Sequence, residues 1–126
     1  MNIEEFREYC LSKTGASESF PFKQDILVFK VMEKMFAYGT LSPKDDKIRM
    51  NMKCNPIQSE ELRDKYNGIQ RGDHTRGLTW NSVYIDSDVP DTLIKQLIDI
   101  SLEEVIKKLS KKKQVEYYNT KQKGQR

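Results

Sequence analysis

The chain has 126 residues, of which 37% are hydrophobic and 33% charged, enough for one domain with a lean core of its own. No stretch approaches the roughly 18 consecutive apolar residues of a membrane-spanning helix. The net charge of +3 is unevenly held. Residues 111–126 contain five lysines and one arginine against Glu116 alone, a charge of +5, which leaves −2 for residues 1–110. The basic excess therefore belongs to the tail and is no evidence that the body binds nucleic acid.

In chain order, a helix is expected from about Ile3 to Lys13, with Asn2 as cap and Glu5 completing a capping box. Ile3, Phe6 and Cys10 share its apolar face, and Gly15 ends it. The acidic start, MNIEEFREYC, has no apolar centre of the signal-peptide kind, so a cytosolic protein is expected. Phe20-Pro21-Phe22 reads as a turn or extended segment. Strands follow at Ile26–Val31 and Lys34–Gly39, joined by a tight turn at Met32–Glu33. After a second turn, Ser42–Asp46, the segment Lys47–Lys53 alternates apolar and polar residues as a half-buried antiparallel strand does.

Asn55-Pro56 opens a helix that runs to about Tyr66, with Asn as cap and Pro in the first turn. Gly72 and Gly77 bracket a loop containing His74, and a last strand spans about Leu78–Ile85. Asp88 and Pro90 start the longest helix, whose stripe of Leu93, Ile94, Leu97, Ile98, Leu102, Val105, Ile106 and Leu109 is core. Residues 1–110 are expected to form one domain, and residues 111–126 a basic, partly disordered tail. Cys10 and Cys54 form no CxxC pair and read as reduced, buried side chains.

Strands grouped between helices define an α+β fold, an antiparallel sheet with helices packed on one face. The other face is then open. If the long helix covers Val83 and Ile85, the alternation of the strands puts Trp80, Ser82 and Tyr84 on the open side. The same rule puts Lys30, Arg49, Asn51 and Lys53 there, with Arg71, His74 and Arg76 near its edge. Cations around an aromatic ring suit a phosphate-bearing partner. The competing reading is plain: lysines are common on wet strands, and tryptophan is more often packed than presented.

Several segments together resemble the MmcQ/YjbR-like family. They are FPF (Phe20–Phe22), KMFA (Lys34–Ala37), MKCNP (Met52–Pro56), Leu62-Arg63, His74 through Trp80, and Ser101 ahead of VIKKLSKK (Val105–Lys112). The resemblance covers about Met1 to Lys112. It implies a frataxin-like (CyaY-like) α+β sandwich and a double-wing DNA-binding domain whose wings are β-hairpins. Here the wings would be the Met32–Glu33 hairpin and the Ser42–Asp46 turn, flanked by Lys30, Lys34, Lys44 and Lys47. The chain departs from the family pattern before the loop: Arg71-Gly72-Asp73-His74 stands for the usual Pro-Gly-Tyr-His, and Gly77 for the usual lysine.

The expectation is a small monomeric, non-enzymatic module binding DNA through Lys30, Lys34, Arg49, Lys53, Arg71, His74, Arg76 and Trp80. The alternative is a module that binds a protein or small ligand around Trp80 and His74. With one His, no paired metal-ligand spacing and no Gly-rich phosphate loop, no catalytic residue, metal or cofactor is assigned. Iron binding by Glu4, Glu5 and Glu8 or by Asp45-Asp46 rests on fold analogy, and an acidic helix face is ordinarily just solvated.

Overall fold

The computed structural model describes residues 1–72 and 80–124, with side chains through residue 121. Helix α1 (Ile3–Leu11) starts with the expected capping box: Asn2 accepts from Glu5 N at 2.8 Å, and Glu5 accepts from Asn2 N at 3.2 Å. Strands β1 (Ser17–Ser19), β2 (Ile26–Val31), β3 (Lys34–Thr40) and β4 (Arg49–Lys53) follow. After helix α2 (Pro56–Lys65) come β5 (Ile69–Arg71), β6 (Trp80–Tyr84), α3 (Asp91–Lys107) and α4 (Lys111–Gly124). The six strands form one antiparallel sheet in the order β1-β2-β3-β4-β6-β5.

Met32 and Glu33, at φ 49° and 66°, form the tight β2–β3 turn, in the doubly left-handed backbone that two-residue hairpins prefer. Opposite the bulge between Phe29 and Lys30, β3 carries one extra residue, so Phe36 and Ala37 are both buried. Gly39 lets β3 and β4 close up, since a Cβ there would stand 2.5 Å from Arg49 O.

The core lies between the sheet and the helices. Phe6 and Cys10 of α1 and Ile94, Leu97, Ile98 and Leu102 of α3 pack on Leu27, Phe29, Met50, Met52 and Val83. Burial pushes the Cys10 and Cys54 thiols up from their ordinary range, and both are free and buried. Among the described residues no helix is long and apolar enough to cross a membrane.

Four elements differ from expectation. Strands β1 and β5 are short polar edges held by backbone pairing. Residues 111–124, expected as a partly disordered tail, form α4. Tyr117, 6% exposed, joins the core cluster, and Ser110 accepts from Lys113 N at 3.3 Å at the helix start. Asp88 does not cap α3: its carboxylate accepts from Asn67 N and Gly68 N, both at 2.8 Å, and fixes the turn after α2.

Candidate nucleic-acid interface

Paired residues of an antiparallel ladder share a face. Arg49–Tyr84, Asn51–Ser82 and Lys53–Trp80 are paired, as are Tyr38–Asn51, Val28–Tyr38, Lys30–Met35 and Gln70–Ser82. This set lies opposite Met50, Met52 and Val83, hence away from the helices. The structure so brings Lys30, Arg49, Lys53 and Trp80 onto one face. Arg71 pairs with Asn81 and Lys34 with Val31, which puts both on the helix side, exposed at strand ends. His74 and Arg76 lie outside the described residues.

The centre of this face is closed. Val28 is fully buried without joining the core cluster. Ser82 Oγ donates to Asn51 Oδ1 at 2.5 Å, and Asn51 Nδ2 donates to Tyr38 O at 3.2 Å. Asn51 and Ser82 are 8% and 2% exposed, so their polar atoms are already used.

At the end where β2 turns into β3, Trp80 is half-buried and outside the core cluster. Its ring meets Tyr38 edge-on at 5.3 Å and 67°, and Lys53 Nζ stands 5.5 Å over it. Burial, with help from nearby Lys108, holds the Lys53 ammonium below the ordinary lysine range; Glu104 opposes this. Among the described residues no carboxylate ion-pairs with Lys30 or Lys53. Lys111, Lys112 and Lys113 start α4 just beyond Lys108. This end gathers cations.

The other end gathers carboxylates. A cleft of about 1040 Å³ is lined there by Asp45, Asp46, Asp86 and Asp88 with Tyr84 and Lys47. Arg49 stands at this end of β4, 3.5 Å from Asp45 and donating to Tyr84 Oη at 2.7 Å. Among the described residues no group of three His, Cys, Asp or Glu could hold a metal ion. The two turns considered as wings leave β3 at opposite ends, about 20 Å apart for a strand of seven residues. Only the Met32–Glu33 turn stands at the cationic end.

Sequence reasoning missed Tyr38 as the neighbour of Trp80. Its alternation with Phe36 pointed to the wrong face, because the bulge shifts the β3 phase by one residue. Lys108 was hidden in the run that closes α3.

The architecture is that of a small α+β domain whose sheet has one face without a helix among the described residues, with lysines at one end and aspartates at the other. The YjbR family model matches residues 11–103, and the chain belongs to that family. The uncharacterized protein YjbR of Escherichia coli K12 is 27% identical over 113 residues, 90% of this chain and 94% of that protein. A crystal structure of Deinococcus radiodurans protein DR2400, with domain DUF419, is 31% identical with a TM-score of 0.83, covering 92% of this chain and 87% of that one. A Pseudomonas syringae protein, 22% identical over 83% of this chain and 99% of its own, shares the fold with a TM-score of 0.73.

Proposed function

We propose that this chain is a cytosolic, non-catalytic module that binds nucleic acid, DNA foremost, at the Trp80 end of its helix-free sheet face. The observation that carries the reading is Trp80: half-buried, outside the core, beside Lys53 and Tyr38. Lys30, Lys53, Lys108 and the first turn of α4 supply phosphate neutralisation around it. Arg49 is committed to Asp45 and Tyr84 and contributes little.

A second reading, docking of a protein, draws on Phe20 and Phe22, 47% and 66% exposed before β2. Salt separates the two, because phosphate contacts release counterions and apolar contacts do not. The expected result is that log K for DNA falls with log salt at a slope of about −2 to −3, as three or four contacts require. Lys30→Glu with Lys53→Glu weakens binding by about tenfold or more at low salt. Neutralising Lys111, Lys112 and Lys113 to Gln, which leaves Tyr117 in place, weakens it less. Binding lost with the α4 change and untouched by Lys30 and Lys53 contradicts the reading.

A further inference from the structure

We infer that the nucleic acid taken at this site is single-stranded, held by a base against Trp80 and by phosphates on Lys53 and Lys30. The inference rests on the function proposed above and names its ligand. Three observations carry it.

The cationic end is small. Lys30 and Lys53 stand on strands separated only by β3, and the cleft at the opposite end of the sheet is lined by Asp45, Asp46, Asp86 and Asp88. A duplex laid along the face would run its phosphates from lysines onto aspartates, whereas a short single-stranded segment fits the cationic end alone. The two turns also point away from each other, so they cannot close on one duplex from the same side.

Trp80 and Tyr38 form an aromatic step outside the core. A base offers its π-face to such a step only when it is unpaired and unstacked. The Lys53 ammonium, on a flexible stem and without a carboxylate partner among the described residues, then meets the phosphate next to that base.

Among the described residues, the side-chain amide and hydroxyl at the centre of this face are already spent on each other and on backbone. Asn51, which pairs with Tyr38, and Ser82, which pairs with Asn51, bond each other and Tyr38 O below the surface. Recognition by ring face and phosphate charge is tolerant of sequence, so runs of thymine, cytosine or adenine bind within a few-fold of one another.

Trp80 is the only tryptophan, so its own emission reports the contact. The full chain is titrated at low salt with a twelve-nucleotide oligothymidylate, a mixed-sequence twelve-mer, the duplex of that twelve-mer, and inorganic polyphosphate. Single strands are expected to quench Trp80 and to bind about tenfold or more tighter than the duplex, as one stacked base allows. Trp80→Phe, which carries no tryptophan to report and is followed by the anisotropy of a dye-labelled oligonucleotide, is expected to keep that preference. A duplex that binds as tightly as the single strand overturns the inference and leaves the nucleic-acid function standing. Polyphosphate that binds and quenches as oligothymidylate does overturns it too, by showing charge without stacking. No binding by any nucleic acid overturns both.

Discussion

Trp80→Ala is expected to weaken nucleic-acid binding by about 5- to 150-fold, the 1–3 kcal/mol that one base stacked on an aromatic ring supplies. Its melting temperature is expected to fall by less than about 6 °C. The small thermal effect follows from position: the indole contributes to no part of the core cluster, and its described ring contact is the edge of Tyr38. Such a pair is worth about 0.5–1.5 kcal/mol. Oligonucleotide titration and thermal melting of the same preparation check both halves. A large melting loss with affinity intact would make Trp80 a packing residue and remove the site.

Ser101→Ala is expected to act the other way, with a heavy cost in stability. Ser101 faces the sheet from the middle of α3 and is fully buried. Its hydroxyl accepts from Lys53 N at 2.8 Å and donates to Phe36 O at 2.5 Å. It therefore bridges β3 and β4 where their ladder stops, one residue past the Ala37–Met52 pair, beside the β3 bulge. Alanine would leave a buried N–H and a buried C=O without partners, at about 1–3 kcal/mol each. The total is about 2–6 kcal/mol, or about 6–30 °C in melting temperature for a domain of this size. Ser101→Cys, which fits the space and bonds weakly, is expected to fall between. Because Lys53 N is one of the freed groups, the alanine variant also loosens the strand end that carries the Lys53 side chain. A melting shift under about 2 °C contradicts this account of Ser101.

Much of this was legible before any coordinates. The alternation in Lys47–Lys53 divides Met50 and Met52 from Arg49, Asn51 and Lys53, and β4 keeps that division. The apolar stripe of α3 is period and nothing else, and it covers the sheet as expected. What escaped had no pattern to read. β1 is Ser-Glu-Ser, held by β2 backbone and by Arg7 donating to Glu18 from α1. β5 offers one apolar residue in three. α4 is polar on nearly every side, and one tyrosine anchors it, so its period is invisible although its lysines and glutamines favour helix. The β3 bulge leaves Phe36 in the core and sets Tyr38 on the opposite face, and no propensity announces a one-residue slip. Ser101 entered the sequence reading only as part of the family motif; its role needs the position of Phe36 O.

Amide and indole resonances of the 15N-labelled protein, followed while oligothymidylate is added, test the central claim most directly. The account predicts that the shifts gather at Lys30, Met35, Tyr38, Lys53 and the Trp80 indole, with Tyr84, Asp45 and Asp86 still. Shifts confined to α4, or centred on Phe20 and Phe22, would contradict it.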